Sequence, residues 1–378
     1  MKKTLISLIV LLSLIIACNN EKKNDEKVVV CPDKPLKGNV KLKIEKVLTI
    51  DSLTIDEEKP PIFNTFIKDK NGSIYISNVH PGLAVYKFAK DGSFLKRFIS
   101  KGEGPGELRS LQFLQYRGDS IMVGSTNKII GYDLDGNYVS EKRLKRLYQS
   151  IHMIDKQYFI ANYQKTKNDV VFRVCSIINK NDEDETVTLL ETDKKNVGQS
   201  TVGEGENKFT IALVGITADY ISKYSESSSS IYQCLSDESD IYIKNRNGDL
   251  VKMVKTNFKN WVLTKDDKND IMAGCVHFPD GMKKAVRKSL PEKMLAIESL
   301  QVLPDGHFAV FFYKKYVDYE IRIFDKDGQF KYLVEFPEEL SGRTHTFTKN
   351  GLGCIERAED RDLYVEYKIT NLPEIFSN

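Results

Sequence analysis

Five histidines, six cysteines and one glycine-rich loop are the residues of this chain whose chemistry could be specific. The histidines are His80, His152, His277, His307 and His345. None stands in His-x-His or His-Glu-x-x-His spacing, so no metal pair is offered by a single strand or helix. His152 falls in a short segment, residues 150–154, that reads as an inner strand whose alternate side chains face a central channel. Gln112 and Asn64 fall in or beside segments of the same kind. His152, Gln112 and Asn64 are therefore the candidate ligand-binding residues, and no metal or cofactor site is assigned. Beyond Cys18 the cysteines are Cys31, Cys175, Cys234, Cys275 and Cys354, far apart and without a Cys-x-x-Cys pair, which argues against zinc or thioredoxin-like chemistry. No Gly-x-Ser-x-Gly elbow supports a hydrolase. The run Gly102-Glu103-Gly104-Pro105-Gly106-Glu107 lacks the Lys-Ser/Thr of a phosphate loop and the helix that would follow a dinucleotide site. Its glycines and proline suit a tight turn instead. The acidic cluster at residues 181–185 lacks the glycine and spacing of a calcium loop, so a hairpin tip is expected there.

The N-terminus carries a different signal. Lys2 and Lys3 precede an apolar run, residues 4–16, broken only by Ser7 and Ser13; Ala17 and Cys18 follow. A basic start, a short apolar core and a small residue before the cut describe a secretory signal. The run is short of the about 20 apolar residues of a membrane-spanning helix. Ile15-Ile16-Ala17-Cys18 resembles the bacterial lipobox, which implies lipid attachment at Cys18 after cleavage behind residue 17. Residues 19–27 are charged or amidic and cannot bury a core. A flexible tether over residues 18–40 is expected, similar to that of Bacteroidetes lipoproteins. Its charges alternate in sign and do not decide between the periplasmic and surface faces of the outer membrane.

The chain has 378 residues and a formal charge of +3, which falls to about +1 once Lys2 and Lys3 leave with the signal. A near-neutral body lacks the basic patch of non-specific nucleic-acid binding. Some 18 Tyr and 19 Phe, with repeated Asp-Gly and Asn-Gly steps, favour sheet.

These turns punctuate a repeat. Asn71-Gly72 is followed by alternating Ile74–Ser77, then Leu83–Phe88, Asp91-Gly92 and Phe94–Phe98. The same order recurs from Gly118 to Val139 and from Pro304 to Leu333, with worn copies near residues 155–160, 239–248 and 349–352. Inner strands are expected at residues 63–68, 111–116, 150–154, 299–303 and 344–348, with a less clear one near 211–220. Setting aside two polar insertions, residues 181–210 and 264–296, leaves about 46 residues for each of six units, close to the span of a propeller blade. The orphan strand at residues 47–53 is expected to close the last blade beside residues 363–369. Thr264-Lys265-Asp266-Asp267 reads as a helix start inside the second insertion, which is expected to lie over the channel as a flap.

Lys101-Gly102-Glu103-Gly104-Pro105-Gly106-Glu107-Leu108 resembles an inter-blade element of NHL-like and TolB-like six-bladed propellers of Bacteroidetes, with Leu108 where those carry Phe. Thr201–Asn207 resembles a second, worn copy. The expected fold is all-β, a six-bladed β-propeller of four-stranded antiparallel blades over residues 41–378, with a small helical insertion. The expected function is a membrane-anchored extracytoplasmic lipoprotein whose propeller binds a ligand or partner, such as an envelope protein, a peptide or a glycan. The resemblance also implies an alternative, a metal-dependent lyase or gluconolactonase-like hydrolase with its site in the channel.

Overall fold

Four of the hairpins share one turn, written Asp/Asn-x-Asp/Asn-Gly. In Asp69–Ser73 the Asp69 carboxylate accepts the Asn71 and Ser73 N–H groups at 2.8 and 3.0 Å, and Gly72 takes φ of 86°. Asp325 holds Asp327 and Gln329 in the same way, with Gly328 at φ 83°, and Asn245 holds Asn247 and Asp249, with Gly248 at φ 84°. The acceptor side chain pre-forms the turn, and glycine supplies the left-handed backbone at no steric cost.

These hairpins build six blades in a computed structural model that describes residues 27–371, except 56, 81, 169, 194–198, 203–208, 213–219, 274–277, 304, 316–317, 341–344, 349–350 and 359. From the inner strand outward, the first blade is Ile62–Lys68, Ile74–His80, Ala84–Phe88 and Phe94–Phe98. The second is Phe113–Arg117, Ser120–Gly124, Lys128–Asp133 and Tyr138–Arg143. The third is Ser150–Met153, Tyr158–Lys167, Val170–Asn179 and Thr186–Thr192. The fourth is Tyr220–Ser225, Ser230–Leu235, Ile241–Lys244 and Leu250–Lys255; the fifth is Ile297–Val302, Phe308–Lys315, Asp318–Phe324 and Phe330–Glu335. The sixth takes His345–Phe347, Gly351–Arg357 and Asp362–Ile369 from the C-terminal end and Ile44–Asp51 from the N-terminal part, paired antiparallel to Asp362–Ile369. The ring is thus closed by the early strand, whose pairing starts three residues earlier than the sequence pattern suggests.

Each pair of neighbouring blades encloses one apolar cluster. Tyr75, Val85 and Phe98 meet Ile121, Ile130 and Tyr132 between the first and second blades. Ile50 and Tyr364 meet Phe63, Ile76 and Phe88 across the closure. The other four interfaces are filled likewise. Each cluster removes eight to fifteen side chains from water, a gain of about 1.5–3 kcal/mol per large side chain, so burial between blades holds the ring.

Two expectations need correction. The inner strand of the fourth blade is Tyr220–Ser225, not residues 211–220, and the serine-rich stretch after it is the turn to Ser230–Leu235. Its central residues, Ile221, Ser222, Lys223 and Tyr224, are half-buried, so the apolar alternation that marks a strand is missing. The tether does not reach residue 40. Val28–Val30 pairs parallel with Met253–Lys255 on the outer edge of the fourth blade, and Asn39–Lys41 pairs parallel with Leu333–Glu335 on the fifth. Cys31 and Leu42, each 2% exposed, tuck into the clusters behind these strands. The strap covers two outer edges that would otherwise present unpaired ladder groups.

The insertion forms two helices, Lys265–Ala273 and Asp280–Ser289. Thr264 caps the first: Asp267 Oδ2 accepts the Thr264 N–H and hydroxyl at 2.8 and 2.7 Å, and the Asp267 N–H donates to Thr264 Oγ1 at 3.2 Å. Leu263, Ile271, Leu290 and Met294 form a small core of their own.

Candidate functional site

The propeller has two unlike ends. One carries the turns from each inner strand to the second strand; the other carries the connections that lead from each outer strand into the next inner strand. The helical insertion joins Leu250–Lys255 to Ile297–Val302, so it belongs to the connection end. His152 stands one residue before the end of its inner strand, at the turn end. The insertion is therefore not a flap over His152.

At the turn end two cavities of ≈ 670 and ≈ 470 Å³ share Tyr116, Arg117, His152 and Val302. Asn64 lines a third cavity of ≈ 480 Å³ toward the connection end, which shares Phe66 and Thr346 with the largest. His152 and Asn64 thus line different cavities that share two wall residues. Gln112 is exposed and lies outside these cavities. Its backbone N–H continues the ladder to the Gly124 carbonyl at 2.8 Å. Cys18, Cys275, His277 and the worn loop copy at residues 203–207 lie outside the described residues.

The channel wall is organised by side chains that bridge inner strands. Gln115 Nε2 donates to the Ile151 carbonyl at 3.3 Å and its Oε1 accepts the Met153 N–H at 2.8 Å. Gln301 does the same three gaps further round, donating to the His345 carbonyl at 2.6 Å and accepting the Phe347 N–H at 2.9 Å. Each glutamine serves the backbone groups on either side of one residue, His152 and Thr346 respectively. His152 in turn accepts the Tyr224 N–H at 3.3 Å, beside Lys223. Gln115, His152, Lys223, Gln301 and Thr346 therefore stand at equivalent places around the channel. The sequence signal for this was present but unread: Leu114-Gln115 and Leu300-Gln301 are the same dipeptide at the same place in two blades.

His152 is held as a neutral acceptor. Its Nε2 receives Arg117 Nη2 at 3.0 Å and the Tyr224 N–H at 3.3 Å, both groups that only donate. Its Nδ1 stands 3.1 Å from Gln115 Nε2. Burial, with Lys223 and Arg117 nearby, pushes the imidazole pKa well below 6.5. Arg117 is also fixed by Nε to the Met153 carbonyl at 2.7 Å and Nη1 to the Tyr116 carbonyl at 3.1 Å. Burial pushes the pKa of Lys223 down, and Arg117 adds to the effect.

The glycine-rich loop has its own fixed chemistry. The ammonium of Lys128, 6% exposed, donates to the carbonyls of Gly104 and Glu107 at 2.8 and 3.1 Å and pairs with Glu141 at 2.9 Å. Glu141 accepts the Gly106 N–H at 3.0 Å and Glu107 accepts the Gly104 N–H at 2.8 Å. A Cβ at Gly102 would stand 2.0 Å from the Glu107 carboxylate, and Gly106 has φ of 74°. The loop binds itself through its own carboxylates and an internal lysine. It is the structural turn expected. The acidic cluster is also structural: Glu183, 1% exposed, accepts the Lys145 N–H at 2.7 Å and the Tyr148 hydroxyl at 2.9 Å. Among the described residues, no three His, Cys, Asp or Glu side chains gather where a metal ion could be held.

Residues 18–340 match the sequence profile of DUF5128, described as a 6-bladed beta-propeller. The chain belongs to that family. No curated protein matches. Among solved structures, a member of the DUF4221 family from Bacteroides vulgatus is 10% identical, with a TM-score of 0.52 over 86% of this chain and 98% of that one. A protein of unknown function from Bacteroides caccae is 14% identical, with a TM-score of 0.40 over 76% and 89%. The calcium-binding protein regucalcin from Agrobacterium tumefaciens is 10% identical, with a TM-score of 0.42 over 90% and 96%. The first of these supports the fold alone; the other two carry no argument at that similarity.

Proposed function

We propose that this DUF5128 propeller is a lipid-anchored, extracytoplasmic binding module whose ligand enters the channel at the turn end. The observation that carries the reading is the pair of joined cavities there, lined by fixed cations, amides and hydroxyls on a rigid ring. Anchoring rests on the lipobox at Cys18. Among the described residues no helix is long and apolar enough to cross a membrane. From Cys18 to Lys27 an extended chain spans at most about 32 Å. Because the strap begins at Lys27, a lipid on Cys18 would keep the outer edge of the fourth blade within that distance of the membrane. Resemblance to NHL-like and TolB-like propellers of the Bacteroidetes envelope agrees with this placement in the outer membrane.

Thr346 is exposed and faces the channel, so Thr346→Trp should fill the entry without disturbing the blades. Immobilised oligosaccharides and peptides are probed with the wild type and this variant. Capture by the wild type that Thr346→Trp removes is the expected result. Capture that the variant retains in full would place the binding surface elsewhere.

A further inference from the structure

We propose that Lys223 and Arg117 form a carboxylate-binding site at the turn end of the channel, which takes the acidic group of an otherwise polar, uncharged ligand. This deepens the binding-module reading and rests on it. Around the ring, Gln115, His152 and Gln301 each spend their polar atoms on the next inner strand. Lys223 occupies the equivalent place in the fourth blade, yet its ammonium has no hydrogen bond or ion pair among the described residues. It lines the same cavity as Arg117 and His152.

The neighbours leave that ammonium and the guanidinium short of negative charge. Arg117 spends its nitrogens on two carbonyls and on His152, all uncharged. Its one acidic neighbour, Glu226, stands 3.7 Å away and is 64% exposed, so water screens the pair. His152 adds no charge and its lone pair is already engaged. Two cations thus face one half-buried space with a weak counter-ion, an arrangement that costs free energy until an anion enters.

A carboxylate fits better than a phosphate. The wider cavity beyond His152 carries Asp69 and Glu366 beside Lys68 and Lys70, a nearly balanced lining that offers no further cluster of free cations to a dianion. Glu366 is itself paired with Lys68 at 2.7 Å, and Asp69 is engaged by its turn and by the Tyr75 hydroxyl at 3.0 Å. Asn71, Gln115, Thr346 and Thr348 offer amide and hydroxyl groups to an uncharged polar remainder.

The probe is trifluoroacetate, followed by fluorine NMR on the full propeller. Saturable line broadening that acetate reverses is expected with the wild type. Lys223→Met should weaken it about tenfold or more, and Lys223→Arg should keep it. Circular dichroism and thermal melts establish that both variants are folded; should Lys223→Met melt early, Lys223→Gln replaces it. Broadening that survives loss of the lysine charge means an adventitious ion only and overturns the site, as does the absence of broadening in the wild type. Stronger displacement by inorganic phosphate than by acetate overturns the choice of carboxylate. If trifluoroacetate fails while Thr346→Trp still abolishes capture, this inference falls and the binding-module reading stands. If trifluoroacetate binds through Lys223 while capture ignores Thr346→Trp, the anion site stands without that reading.

Discussion

Replacing Lys128 by Met tests whether the glycine-rich loop is a fastener. The methionine keeps the apolar stem packed between the loop and the second blade, and removes only the ammonium. Three acceptors then lose the ammonium at once: the Gly104 carbonyl, the Glu107 carbonyl and the Glu141 carboxylate, which keeps only the Gly106 N–H. Breaking a buried pair by deleting one partner costs about 3–5 kcal/mol. Glu141 is 23% exposed on its side chain and recovers some hydration, so the lower end, about 3 kcal/mol, applies. With an unfolding entropy of about 2.1 cal/mol/K per residue and some 310 described residues, that corresponds to a melting temperature lower by about 5 °C. Calorimetry on the wild type, Lys128→Met, Glu141→Gln and the double variant gives the coupling. The double variant should be less destabilised than the two single changes added together, because the charge that Lys128→Met strands is then gone. A melting temperature for Lys128→Met within a degree of the wild type would refute the account, and the loop would have to be held by its glycines alone.

Two further outcomes follow from the wall and the strap. Deleting everything before Ile44 should uncover Leu42's site and the outer edges of the fourth and fifth blades, lower the melting temperature by several degrees and promote self-association; light scattering that stays monomeric with an unchanged melt would show the strap to be dispensable. His152 has its pKa lowered by burial, so the unfolded chain takes up a proton before the folded one. Its contribution to stability is complete above about pH 6.5 and declines as pH falls below that, by at most about 1.4 kcal/mol per pH unit. Denaturant titrations at about pH 7.5 and pH 5 should show His152→Gln losing less stability in acid than the wild type, since an amide can accept the Tyr224 N–H without titrating. Equal losses in both proteins would assign the acid slope to other groups.

How much of this was legible in the chain depends on whether the signal is local. The Asp/Asn-x-Asp/Asn-Gly turns act within five residues, so the hairpins they close are legible in the sequence; the spacing of the wider strand–turn repeat gives the count of six, and the Thr264 helix start is equally local. The early strand could be recognised as unpaired by its pattern, and closure of a ring leaves it one place to go. The glycine-rich loop was readable as a turn from what it lacked. The identity of its lysine was not, because Lys128 lies 21 residues beyond Glu107 and comes to it only when the second blade folds.

The channel depended on tertiary structure throughout. Its lining residues are polar and half-buried, so the Tyr220–Ser225 strand lost the alternation that reveals the others. Asn64 and His152 line different cavities, and Gln112 is outside both, because a one-residue change of register sends a side chain to the other face. Arg117 and Lys223 come from different blades, 106 positions apart, and only closure of the ring sets them around one cavity. The strap shows the same limit: residues 27–43 lie outside the blade repeat and offer no partner strand nearby, and only the exposed outer edges of two distant blades turn part of them into strands. Local turn chemistry, written in the sequence, fixed the blades; ring closure, which no short stretch encodes, decided which polar groups meet.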